Sequence, residues 1–189
     1  KVAENDPKII EELIPDLLGL GTIQRVLQNL LRENVSIRDM NTILETMADI
    51  AQYTKMPDIL TEHVREALSR NISRQYQTDD GTIPVMTLDQ AIENTIAQSI
   101  QETGQGSYLG IDPVSGEAII TAIENSLETF SMFNYQPLVL CSPVVRPHLK
   151  RLTERAVSNL VVLSHNEISP DVRIESLGFI SLDELAEAG

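Results

Sequence analysis

Tryptophan is absent and aromatic residues make up only 4% of the chain, so a core has to be assembled from Leu, Ile and Val. Cysteine occurs once, as Cys141, which excludes an internal disulfide. It lies in the apolar run Leu138-Val-Leu-Cys-Ser142, where a small buried hydrophobe fits, and a reducing compartment is the simplest expectation. Cations are scarce: 14 Lys plus Arg stand against 28 Asp plus Glu, for a formal charge of −14. A grip on phosphates is electrostatically disfavoured, and nucleic acid is not expected as a partner. No uninterrupted apolar run approaches the about 20 residues that span a bilayer. The polar start Lys1-Val-Ala-Glu-Asn-Asp6 does not read as a signal peptide, so this stretch is expected to be soluble whatever it is attached to.

Apolar residues at 42% and charged residues at 22% are ordinary globular values, and 189 residues suit one large domain or two small ones. From Asp6 to about Arg74 the period is helical. A short helix is expected near Pro7–Ile14. In Thr22–Glu33, Ile23, Val26, Leu27, Leu30 and Leu31 recur at three and four and predict one apolar stripe, with Thr22 as its N-cap. Ser36-Ile-Arg-Asp39 resembles a capping box opening a second helix, with Ile37, Met40, Ile43, Leu44, Met47, Ala48 and Ala51 inward. A third helix starts at Pro57 and turns Leu60, Val64, Ala67 and Leu68 inward. The polar segment Gln75-Tyr-Gln-Thr-Asp-Asp-Gly81 then marks a boundary.

Beyond it, strands are predicted at Ile83–Leu88, Pro137–Cys141, Leu160–Leu163 and Val172–Ile180, and helices at about Asp89–Glu102, Pro113–Phe133 and Val144–Val157. The unit strand, helix, strand from Leu138 to Leu163 is long enough for a parallel crossover. The expected fold class is α+β: an all-helical domain over residues 1–76, then a small α/β sandwich over 77–189 with a mostly parallel mixed sheet.

Chemical motifs are weak. Gly104-Gln-Gly106-Ser-Tyr-Leu-Gly110 has Leu109 where a dinucleotide fingerprint needs glycine and no following Gly-Lys-Ser/Thr, so it reads as a flexible loop between two helices. Ser164-His165-Asn166-Glu167 places hydroxyl, imidazole and carboxylate side by side, but neighbours on an extended chain point to opposite faces, and a turn after a strand is the expectation. His63, His148 and His165 are scattered, with no zinc spacing, and no cofactor is expected. The helix Val144–Val157 carries Arg146, Lys150, Arg151 and Arg155, either a solvated face or an anchor for acidic partner surfaces. In Leu13-Ile-Pro-Asp-Leu-Leu-Gly-Leu-Gly21, Pro15 interrupts any helix and two glycines frame a bend, so Leu13, Leu17, Leu18 and Leu20 cannot share one regular face. Some of them stay exposed as a docking surface, or all cover the base of the helical core.

Four stretches carry a family resemblance. Leu13-Ile-Pro-Asp-Leu-Leu-Gly-Leu-Gly-Thr-Ile-Gln-Arg-Val-Leu-Gln-Asn-Leu-Leu-Arg-Glu33, with Val35-Ser-Ile-Arg-Asp-Met-Asn-Thr-Ile-Leu-Glu-Thr46, resembles the cytoplasmic region of the FlhA/InvA family. So does Leu140-Cys-Ser-Pro-Val-Val-Arg-Pro-His-Leu-Lys-Arg-Leu-Thr-Glu-Arg155, followed by Asn159-Leu-Val-Val-Leu-Ser-His-Asn-Glu-Ile168. The resemblance implies the last two subdomains of an inner-membrane export gate protein, whose cytoplasmic region forms a ring of nine subunits beneath the export channel, on the cytoplasmic face of the bacterial inner membrane. It implies a non-enzymatic docking platform for export chaperone–cargo complexes and for the stalk protein of the export ATPase, held to the membrane only through other parts of the parent. Carried over, the docking cleft falls on Leu13, Leu18 and Gly21, and the basic helix lies near neighbouring copies or the stalk. Leu163-Ser-His-Asn-Glu-Ile168 favours the flagellar over the virulence branch. The competing readings are a helix-turn-helix DNA-binding domain on Thr22–Glu33 and Ile37–Tyr53, joined by a short turn, and a hydrolase built on Ser164 and His165.

Overall fold

The computed structural model describes residues 17–104 and 106–182. The chain divides into two compact units, Lys1–Gln75 and Tyr76–Gly189. The helix expected near Pro7–Ile14 lies outside the described residues.

In the first unit, α1 (Leu20–Arg32), α2 (Met40–Ile50), α3 (Pro57–Ala67) and α4 (Ser69–Tyr76) follow one another. The amphipathic spacing does its expected work in α1, where Ile23, Val26 and Leu30 are buried, and in α2, where Ile43, Leu44 and Met47 are buried. Pro57 opens α3, its missing N–H being one that no helix would have satisfied there. α3 packs against both preceding helices. Asn29 on α1 donates from Nδ2 to Asp58 Oδ1 at 3.3 Å and to Thr61 Oγ1 at 3.2 Å, fixing its register on α3.

Several boundaries differ from the sequence reading. The cap of α1 is Gly19, not Thr22. The cap of α2 is Asp39, whose carboxylate accepts from the Thr42 N–H at 3.3 Å, so Ser36 and Ile37 precede the helix. Leu31 and Ala67, expected inward, are exposed.

The second unit is built on a four-stranded sheet in the order β5-β4-β1-β6, formed by β1 (Thr82–Leu88), β4 (Leu138–Cys141), β5 (Val161–Ser164) and β6 (Arg173–Ile180). Every pairing in it is parallel. β6 carries an irregularity opposite Val85 and Met86, where Gly178 has φ +143°. Three helices supply the crossovers: α5 (Gln90–Gln98), α6 (Pro113–Met132) and α7 (Arg146–Thr153). Ile92, Ile96, Ile119, Ile123, Phe130 and Leu149 from these helices pack with Met86, Val139, Cys141, Val162 and Ile180 from the strands. The alternate strand residues Ile83, Val85, Leu138, Leu140 and Leu163 are buried too, as parallel strands require. Asp112 caps α6 as the Asp-Pro pair predicts, accepting from the Ser115 N–H at 2.9 Å.

The helix expected over Asp89–Glu102 stops at Gln98, and β2 (Ile100–Thr103) pairs antiparallel with β3 (Gly106–Leu109). The glycine-rich segment is therefore the turn of a hairpin rather than a loop between helices. Gly106 has φ +136°, a conformation that L side chains rarely adopt, and Thr103 Oγ1 closes the turn on Gly106 O at 2.7 Å. The α+β organisation stands, with a sheet that is parallel throughout and a separate hairpin.

Candidate docking surfaces

The leucine-rich segment before α1 splits by side-chain direction. Leu13 lies outside the described residues. Leu17 is half-buried. Leu18 is 1% exposed and belongs among the largest fully buried side chains, which corrects its reading as an exposed contact residue. Extended backbone at Gly19 (φ −70°, ψ 148°) separates it from the helix, and its carbonyl accepts from the Thr22 N–H at 3.0 Å. Leu20, the first helical residue, is 68% exposed. A Cβ added at Gly21 would meet nothing within 4 Å.

At about 100° per residue, Leu20, Leu27 and Leu31 fall within about 40° of one another on α1, beside the arc of Ile23, Val26 and Leu30. Leu27 is half-buried and Leu31 is 52% exposed. The helix thus carries two apolar lines, one buried and one facing solvent. Sequence reasoning merged them, assigning Leu27 and Leu31 to the core. The signal available was the width of the stripe, which exceeds what one packed face of a short helix needs.

The basic helix does not present its cations together. Arg146 is 1% exposed, and its Nη1 donates to Val162 O at 3.4 Å. Lys150 Nζ donates to Leu160 O at 2.7 Å. Both reach towards β5 and its leading residue, which corrects their reading as surface anchors. Their long stems run inward while the charged heads find main-chain carbonyls. Arg151 Nη1 reaches Ser107 O at 3.4 Å, and His148 Nε2 stands 3.3 Å from Ser107 Oγ, so two side chains of α7 hold the hairpin. Arg155 is exposed beyond the helix end. Of the four cations, Arg151 and Arg155 are the ones turned to solvent.

Ser164 and His165 do not form a nucleophile and base. Ser164 is 2% exposed while His165 points outward into a short 3-10 helix, His165–Glu167. Glu167 is buried and accepts from the Ser164 N–H at 2.6 Å, one half of a capping box. The helix-turn-helix reading loses its short turn, since residues 33–39 separate α1 from α2. The supposed recognition helix α2 carries Glu45 and Asp49 and no cation, Arg38 falling before it. Among the described residues no three His, Cys, Asp or Glu side chains gather as a metal site, and no helix is long and apolar enough to cross a membrane.

Comparison with known proteins agrees with the resemblance read from the sequence. The profile of the FHIPEP family matches residues 1–173. The chain is 38% identical over 179 residues to flagellar biosynthesis protein FlhA of Bacillus subtilis, covering 95% of this chain and 26% of that protein. It is 32% identical over 174 residues to low calcium response locus protein D of Yersinia pestis, covering 90% and 25%. The chain thus spans about a quarter of the length of these relatives. Among solved structures, the Chlamydia pneumoniae CdsV protein superimposes with a TM-score of 0.88 at 32% identity, over 95% of this chain and 51% of that one. Nonameric SctV-C of EPEC gives 0.84 at 32% identity, over 95% and 53%. CdsV in the Chlamydia pneumoniae CdsV and CdsO complex gives 0.83 at 31% identity, over 95% and 53%. By the family profile, by sequence identity and by fold, the chain belongs to the FHIPEP family, the FlhA/InvA type that its sequence resembles.

Proposed function

We propose that this chain is the final part of the cytoplasmic region of an export gate protein and acts, without catalysis of its own, as a docking platform for export chaperone–cargo complexes. The observation that carries the reading is the solvent-facing line of α1, where Leu20 and Leu31 are 68% and 52% exposed. Large apolar side chains held in a row on a rigid helix are what a partner's apolar anchors need, and they have no role in the unit's own core. Half-buried Leu17 and Gly21, where an added Cβ would meet nothing within 4 Å, are assigned to the same surface at the start of α1, and Gly21 lets a partner backbone approach.

The export ATPase stalk protein and neighbouring copies in a nine-membered ring complete the set of partners. Support comes from the relatives: SctV-C is a nonamer, and CdsV forms a complex with CdsO. Arg151 and Arg155 are the cations we assign to such contacts. The parent belongs to the cytoplasmic face of the bacterial inner membrane. Identity of 38% with FlhA against 32% with the Yersinia pestis protein favours the flagellar branch.

The test is binding of purified flagellar chaperone–cargo complexes to the chain by calorimetry. Leu20→Ala with Leu31→Ala should weaken binding about five- to thirtyfold, and Gly21→Val should do so by obstruction. Melting temperatures of the same samples should stay near the parent's. Unchanged affinity in all these variants would falsify the assignment.

A further inference from the structure

Between Arg74 and Arg146 the sequence holds no lysine, arginine or histidine, so every charged side chain in that stretch is a carboxylate. Its longest element is α6, which runs from Pro113 to Met132. At about 100° per residue, Val114, Glu117, Glu124, Glu128 and Met132 fall within an arc of about 80°. All five are exposed, Val114 at 78% and Met132 at 73%. The stripe is thus acidic in its middle and apolar at both ends, and at 1.5 Å per residue it runs about 27 Å.

Two features set it apart from an ordinary solvated face. Exposed helix faces gain support from opposite charges spaced three or four apart, whereas here Glu124 and Glu128 repel at i,i+4 and none of the three carboxylates has a salt-bridge partner among the described residues. The apolar end at Met132 is also held in place. Asn134 takes φ +56°, the Tyr135 N–H closes back on Phe130 O at 3.0 Å, and Phe133, 58% exposed, stacks on Tyr135 with centroids 5.8 Å apart. An apolar and aromatic tip fixed in this way matches the side chains that dominate interface cores.

We propose that this face of α6 is a second docking surface, and that its occupant is a cationic amphipathic helix of a partner protein, bearing Lys or Arg along its middle and apolar residues at both ends. Charge complementarity selects the occupant: carboxylates that meet no counter-charge among the described residues are neutralised from outside, and the apolar ends fix the register of the incoming helix. The proposal extends the docking reading and rests on it for the existence of a protein partner, but it involves neither α1 nor its leucines.

The probe is a fluorescein-labelled synthetic helix of about 18 residues, matched in length to the stripe, with lysines opposite the carboxylates and leucines at the ends. Its anisotropy is read on the whole chain at two salt concentrations, beside a peptide of identical composition with the lysines spread around the helix. The matched peptide should bind and the spread one should bind more weakly. Glu117→Gln with Glu124→Gln and Glu128→Gln should weaken binding about tenfold and remove most of its salt dependence. Val114→Ser with Met132→Ser should weaken it about fivefold with the salt dependence kept. Glu175→Gln, an exposed carboxylate on β6, should bind as the parent does. The proposal is overturned if the matched peptide does not bind, if the spread peptide binds equally, or if either set of α6 variants binds like the parent. None of these failures touches the Leu20–Leu31 line, whose test uses chaperone–cargo complexes.

Discussion

Arg65 Nη1 lies 3.2 Å from Glu33 Oε2, with the arginine side chain 2% and the glutamate 15% exposed. Glu33 caps the C-terminal end of α1, where a negative charge opposes the helix dipole, so its position makes sense only with the guanidinium of α3 beside it. Removing one partner takes the counter-charge at 3.2 Å away from a desolvated group. Glu33→Leu alone should therefore cost about 3 kcal/mol in urea unfolding, while adding Arg65→Met should recover most of that loss. A double variant no more stable than Glu33→Leu would show that the pair is not what fixes α1 on α3.

The cations of α7 should separate in the same kind of measurement. Arg146 is buried and its Nη1 donates to Val162 O on β5, so Arg146→Ala leaves a hole and removes that hydrogen bond, and should cost about 2–4 kcal/mol. Arg155→Ala, at an exposed site past the helix, should stay within about 0.5 kcal/mol of the parent. Equal losses in the two variants would return Arg155 to a structural role and remove it from the docking surface.

These cases show which features were legible in the sequence. Elements governed by neighbours a few residues apart could be read directly, such as the Asp112-Pro113 start of α6 and the buried Ile23, Val26 and Leu30 line of α1. Features decided by distant partners could not. Arg146 looks like any surface arginine until β5 places a carbonyl within its reach. Ile100–Thr103 continues a helical pattern until Gly106–Leu109 arrives to pair with it. The leucines proposed for docking fall between these cases. Their apolar character was visible, but Pro15 and the glycines removed the periodicity that would have told Leu18, which turns inward, from Leu20, which turns out.

That division of labour between Leu18 and Leu20 is itself testable. Leu18→Ala empties a fully buried site and should cost about 2–5 kcal/mol. Leu20→Ala removes atoms already in water and should cost less than about 0.5 kcal/mol. Chemical denaturation of the two variants in parallel decides the matter, and similar losses would mean that Leu20 belongs to the core.

The cap of α6 gives a prediction in pH. Hydrogen bonds from the Ser115 side chain and then its N–H favour the charged form of Asp112 and hold its pKa below the ordinary 3.8. A carboxyl whose folded pKa is depressed contributes stability that is fully present above the unfolded value and is lost as pH falls through the folded one. The window therefore lies below about pH 4, not near neutrality. Asp112→Ala should lower the melting temperature at pH 7, and the gap to the parent should narrow as pH drops through that window. Asp112→Asn, which keeps a capping oxygen without a titratable charge, should melt between the two at pH 7 and show none of the narrowing that comes from this site. Parallel curves for parent and Asp112→Ala down to pH 3 would mean that the cap acts through its geometry alone.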